Sequence, residues 1–236
     1  MKKVVHKSEN RGYADHGWLQ AHHSFSFAGF YDPSRIHFGM LRVLNDDTIA
    51  PGIGFPEHPH DNMEIITIPL KGSLEHKDSM GHSSIIHDDE VQIMSAGSGI
   101  THSEFNHSKI DPLNLLQIWV FPKVKNIKPR YDQKKYSPND RINKFQIVVS
   151  PDQGSEGLWI NQDAYFSLCS LEKGKSVDYK LKREKHGLYL FLIEGSVSAS
   201  GEILNRRDAA GISETEIVRI ESIEPATLLC IEVPMN

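Results

Sequence analysis

Gly52-Ile53-Gly54-Phe55-Pro56-Glu57-His58-Pro59-His60-Asp61-Asn62-Met63-Glu64 is the stretch that decides the fold, together with its echo Gly97-Ser98-Gly99-Ile100-Thr101-His102-Ser103-Glu104-Phe105-Asn106. Alternate side chains of a strand point to the same face, so His58 and His60 project together, and so do His102 and Glu104. Glycines that would shape tight turns flank both stretches, and strand-like apolar runs lie beside them. Facing each other inside a barrel, the two strands bring three imidazoles and a carboxylate together. That set suits a first-row divalent metal with positions left open. Period two also places Glu64 on the face of His58 and His60 if the strand carries no bulge, so at the level of residues either Glu64 or Glu104 could ligate.

Strand signals recur at short spacing around these stretches. Met40–Leu44, Ile53–Phe55, Met63–Leu70, Val91–Met94 and Leu115–Phe121 are β-prone runs separated by turn residues such as Asn45-Asp46-Asp47 and Lys71-Gly72. Helical periodicity is almost absent, which predicts an all-β sandwich or barrel. Residues 126–144 are polar and contain proline, and read as a connector. Strands resume at Phe145–Val149. Tyr189–Val197 resembles Ile65–Leu74, and Leu228–Pro234 resembles Leu115–Pro122, a faint internal repeat. The copy has no counterpart of His58-Pro59-His60 near Lys185-His186-Gly187, and only Glu214, Thr215 and Glu216 where the first half has His102 and Glu104. The expected division is a metal-binding barrel over 1–125, the connector, and a second barrel over 145–236, smaller and without ligands.

Composition bounds the function. The 236 residues permit a substantial core, and the formal net charge of −5 argues against direct binding to nucleic acid. No apolar run reaches transmembrane length and none follows Met1-Lys2-Lys3 as an export signal would require, so no membrane association and a cytoplasmic location are expected. Cys169 and Cys230 read as small buried hydrophobes. Of 13 histidines, all but His186 lie at or before His107, which concentrates the chemistry in the first half. His22 and His23 read as polar residues of an N-terminal strap. His76, His82, His87 and His107 read as solvated or locally hydrogen-bonded, although His76 has the phase to face inward. Phe55, Met63, Phe105 and Trp119 read as ordinary core.

The spacing Gly52-x5-His58-x-His60-x3-Glu64 resembles the first cupin motif, and Gly97-x-Gly99-x2-His102-x3-Asn106 the second. Gly72 falls one residue late for that pattern, and His87-Asp88-Asp89-Glu90 replaces the glycine and proline expected before the second motif. Phe55–His60, Glu64, Glu75–Gly81, Ser95–Glu104, Leu116–Val120 and His23–Phe27 are more specifically similar to the pirin family, closest to its bacterial quercetin 2,3-dioxygenase-like members. The resemblance covers nearly the whole chain and implies a bicupin, two jelly-roll barrels packed together. Ordinary cupins take their carboxylate from the Glu64 position, whereas pirins take it from the Glu104 position. The resemblance therefore implies His58, His60, His102 and Glu104 as ligands of one divalent ion. It leaves Glu64 as an orienting group, with Glu104 or Glu64 as the catalytic base. Oxygenase chemistry on these donors favours Fe(II), with nickel, copper, manganese or zinc as alternatives under the affinity order. The implied reaction is cleavage of a quercetin-like flavonol by O₂ with release of carbon monoxide. The alternative the family allows is a metal-binding regulatory protein acting through a protein partner. A monomer is the expected state.

Overall fold

The computed structural model describes residues 1–235. The first half of the chain forms β1 (Lys2–His6), β2 (Gly12–Asp15), β3 (Leu19–His23), β4 (Leu41–Ile49), β5 (Gly54–His60), β6 (Glu64–Lys71), β7 (Ser73–Asp78), β8 (Ser83–His87), β9 (Glu90–Ser95), β10 (Ile100–Asn106) and β11 (Leu113–Val120). The second half forms β12 (Arg130–Lys135), β13 (Gln146–Ser150), β14 (Leu158–Trp159), β15 (Tyr165–Leu171), β16 (Ser176–Lys180), β17 (His186–Ala199), β18 (Glu202–Asn205), β19 (Ala209–Ser213) and β20 (Ile217–Pro234). The only helical elements among the described residues are 3₁₀ turns at Ser8–Asn10 and Pro138–Arg141.

The first barrel is a sandwich of a seven-stranded sheet, β12-β9-β6-β11-β4-β3-β2, and a four-stranded sheet, β5-β10-β7-β8. The second is one sheet, β1-β19-β17-β20-β15-β13-β14, with β16 and β18 pairing on the long strands β20 and β17. Register shifts around Glu194 and Ser196 bend β17 against β20, so one pair of strands serves two walls of the barrel. This is the all-β pair of jelly-roll barrels that the sequence predicts.

Alternation along the central strands explains the uninterrupted apolar runs. On β17, Leu188, Leu190 and Leu192 fill the second barrel, while Tyr189, Phe191 and Ile193 join the core between the barrels. On β6, Ile65 faces the first barrel while Ile66 and Ile68 face the seam. Leu116, Ile118 and Val120 of β11 complete that side. A strand buried on both faces needs apolar residues at every position. Burying each such side chain stabilises by roughly 1.5–3 kcal/mol, so the seam is a true core.

Two segments join sheets that the linear division does not assign them to. Lys2–His6 pairs with Ala209–Ser213 and so belongs to the second barrel, although it opens the span 1–125. Arg130–Lys135, inside the expected connector 126–144, pairs with Glu90–Ser95 as an edge of the first barrel. In both cases the short strand covers an edge that would otherwise present unpaired N–H and C=O groups. Cys169 and Cys230 are free, buried thiols in the second core.

Candidate metal centre

β5 and β10 run antiparallel, with His102 opposite His58 and Ile100 opposite His60. Between His102 and Glu104 the partner strand advances from His58 to Phe55, a bulge at Pro56-Glu57. It lets Phe55 pack edge-on to Trp18, 5.1 Å between centroids, while His58 and His60 keep a common face. Both prolines of β5 are tolerated because β5 is an edge strand. Gly54 lets the two backbones meet: a Cβ there would run into the carbonyl oxygen of Glu104 and Cα of Phe105.

Three imidazoles converge as a result. Ring centroids lie 4.4 Å apart for His58 and His102, and 4.9 Å for His60 with either of the others. One nitrogen from each lies within 4.8 Å of the other two. His58 and His60 are half-buried, and His102 is 1% exposed. His58 Nδ1 donates to the carbonyl of Pro56 at 2.8 Å; since a carbonyl only accepts, the neutral ring has a bare Nε2. His60 packs edge-on against Trp119 at 5.0 Å, and Trp119 in turn against Phe27. Burial and the neighbouring His58 push the pKa of His60 down to about 4. Burial, then His58, His60 and His76, push that of His102 down to about 2. Burial thus favours the neutral form of His60 and His102, the form that can donate a lone pair to a cation.

Glu104 lies opposite His76 on β7 and is 2% exposed. Its Oε2 accepts from Gln117 Nε2 at 3.1 Å, while Oε1 is buried without a partner. Burial raises its pKa to about 7 against the pull of Gln117 and Thr67. His102 Nε2 is likewise buried and unpartnered. A bare buried imidazole nitrogen and a bare carboxylate oxygen at this cluster fit a divalent transition metal, because such groups are otherwise costly to bury.

Glu64 is elsewhere, which corrects its placement on the face of His58 and His60. Its carboxylate is fully buried in the seam, accepting from Ser95 Oγ at 2.8 Å and from the backbone N–H of Asn161, in the second half of the chain, at 3.2 Å. The cause is the corner between β5 and β6, where Asn62 has φ +43° and breaks the alternation. Glu64 falls in neither group of potential ligands found among the described residues.

His76 is the residue that sequence reasoning set aside. It is fully buried and forms a second cluster of potential ligands with His102 and Glu104. Glu104 thus groups with His102 and His76 and not with all three imidazoles of the first cluster. Its inward phase after Gly72 was the available signal. His82 bonds Asp78, His87 and His107 are exposed, and His23 is buried against Asn45 at 2.9 Å. Asp78 holds its carboxylate below the usual range: burial raises it, but the N–H and ring of His82, His76 and the Met80 N–H outweigh burial. Both clusters found among the described residues lie in the first barrel.

Residues 4–120 match the family model described as Pirin, and 147–233 the one described as Quercetinase C-terminal cupin domain. The quercetin 2,3-dioxygenase of Escherichia coli K12 is 38% identical over 230 residues, 98% of each chain. A pirin-like protein of Caulobacter vibrioides is 40% identical over 222 residues, 94% of this chain and 95% of its own. The crystal structure of the bacterial pirin YhhW from Escherichia coli in complex with nickel(II) superimposes with a TM-score of 0.94 at 36% identity, covering all of both chains.

Proposed function

The chain belongs to the pirin family, and from that premise we propose that it is a metal-dependent dioxygenase opening the central ring of quercetin-like flavonols with O₂ and releasing carbon monoxide. The observation that carries this reading is the convergence of three imidazoles, one of which, His102, buries its Nε2 without a partner, with the equally buried and unpartnered Oε1 of Glu104 grouped on that same His102. His58, His60 and His102 would hold the ion, with Glu104 as the carboxylate. Names of relatives support the substrate class.

When bound, the ion supplies Lewis acidity that stabilises the 3-oxyanion of a flavonol. The protein's own residues do the rest. His58 is locked with Nε2 bare by Pro56. Trp119 packs edge-on to His60 and is braced by Phe27, which fixes the orientation of that ring. Glu104, held through Oε2 by Gln117, has Oε1 free to face the ion, and as a loosely held ligand it would also take the proton leaving the 3-hydroxyl. Glu64 has no part in this step. In the overall reaction one O₂ is consumed, both its atoms stay in the opened ester, and the carbon bearing the 3-oxygen leaves as carbon monoxide.

The test follows loss of flavonol absorbance and carbon monoxide release by protein loaded with iron, nickel, copper or manganese. Turnover above free ion is expected with at least one, iron(II) being the ion proposed. A flavone lacking the 3-hydroxyl should be inert, because it offers no oxyanion. No turnover with any of the four overturns the enzyme and promotes the reading of a metalloprotein acting through a protein partner.

A further inference from the structure

His102 has no carbonyl to fix its tautomer as Pro56 fixes that of His58. Instead its Nδ1 lies 3.5 Å from Nδ1 of His76, whose Nε2 lies 3.4 Å from Oδ2 of Asp78. The side chains of His76 and Asp78 are fully buried. Asp78 is held in a turn of its own: Oδ1 accepts from the N–H groups of Met80 at 2.9 Å and His82 at 3.1 Å, and Oδ2 from His82 Nδ1 at 2.9 Å. Tyr131 stacks on His76 at 4.7 Å and on His82 at 5.1 Å, which leaves the His76 ring one plane.

Hydrogen-bond polarity then propagates inward. An ionised carboxylate only accepts, so His76 Nε2 must carry the hydrogen. A neutral imidazole has one N–H, so His76 Nδ1 is bare and can only accept. The contact between the two Nδ1 atoms is a hydrogen bond only if His102 Nδ1 carries the hydrogen. His102 Nε2 is then the bare nitrogen, and it is the nitrogen left buried without a partner. We propose that His76 and Asp78 are positioning residues: they set the tautomer and orientation of His102, so that Nε2 is the atom offered to the metal. The proposal rests on the metal-centre reading given above. It makes β7, which contributes no ligand in that reading, a working part of the site. Partners of this kind typically alter metal affinity 10–100-fold.

The tautomer is read first, in the metal-free wild type, from two-bond proton–nitrogen correlations of the histidine rings. His102 should show Nδ1–H and His76 Nε2–H. Nickel(II) affinity is then measured by calorimetry, with folding checked by circular dichroism. Asp78→Asn, which lets an amide N–H face His76, should scramble both tautomers and weaken nickel about 10–100-fold. His76→Leu should weaken it similarly. His76→Gln, whose amide oxygen still accepts from His102 Nδ1, should recover most of the loss; a merely space-filling role would favour neither replacement. His102 with Nε2–H in the wild type overturns the proposal whatever the variants do. So does unchanged nickel affinity in Asp78→Asn and His76→Leu, or a second nickel lost with His76, which would make it a ligand. Wild-type protein with the expected tautomers that binds no nickel overturns the metal centre itself, and with it any role for His76 in metal binding.

Discussion

Glu104 and Glu64 are both buried carboxyls pushed up to about 7, yet one lies inside the first barrel and the other in the seam. Their substitutions should therefore separate cleanly. Glu104→Gln keeps the shape and the Gln117 contact but removes a charged donor, so nickel affinity measured by calorimetry should fall at least tenfold, in the range usual for groups around a metal. Glu64→Gln should leave that affinity within error, and Glu64→Ala should cost about 1–3 kcal/mol in urea unfolding by orphaning the Asn161 N–H. A loss of nickel in Glu64→Gln would return the carboxylate ligand to that position. The histidines were legible because their spacing within single strands survives folding. Glu64 was not, because a left-handed Asn62 between His60 and Glu64 resets the alternation, and Asn takes that conformation without any signal as plain as glycine. His76 was half-legible: its phase pointed inward, but its partner Asp78 becomes informative only once Tyr131 arrives from a distant strand.

Among elements, β5 and β10 depend on close backbone contact. Gly54→Ala drives a Cβ into the β10 backbone at Glu104 and Phe105, where no flexible side chain can yield. The two strands should separate locally, lowering the melting temperature and weakening nickel together. A variant as stable and as tight as wild type would show that the bulge absorbs the strain. β1 and β12 carry the opposite lesson. Their sequences, Lys-Lys-Val-Val-His and Arg-Tyr-Asp-Gln-Lys-Lys, hold too few apolar residues to declare a sheet, and each pairs with a strand remote in the chain, β1 with β19 and β12 with β9 across the intervening β10 and β11. Edge strands are specified mainly by the partner they cover, which a local pattern does not contain. The two-faced stretches of β6, β11 and β17 and the C-terminal part of β20 were legible for the converse reason, since burial on both sides writes a continuous apolar run. Phe191→Ala in the seam should cost about 3–5 kcal/mol in equilibrium unfolding, as for other large buried aromatics.

For the molecule as a whole, the N-terminal crossing binds the barrels together and makes their union sensitive to pH. The chain leaves β1 in the second barrel and enters β2 in the first, and His6 sits at that crossing, 5% exposed. Its Nδ1 lies 2.9 Å from the hydroxyl of Tyr189, and its ring packs on Phe25 and Tyr189, both in the seam. Burial, reinforced by Arg35 and opposed by Asp32, pushes the pKa of His6 down to about 4. The unfolded chain binds this proton with a pKa near 6.5, so between about 6.5 and 4 it takes up more protons than the folded one. The stabilisation is complete above about 6.5 and is lost progressively as the pH falls toward 4, at up to about 1.4 kcal/mol per pH unit for one site. His60 and His102 act in the same direction, so the contribution of His6 must be isolated by difference. His6→Gln keeps a partner for the Tyr189 hydroxyl and removes the titration. Urea unfolding of both metal-free proteins, from about pH 7.5 down to about 4.5, should give curves that lie close at the upper end. They should converge and then cross as wild type weakens faster. Parallel curves over the whole range would mean that His6 accepts its proton in place, with the seam opening no earlier for it.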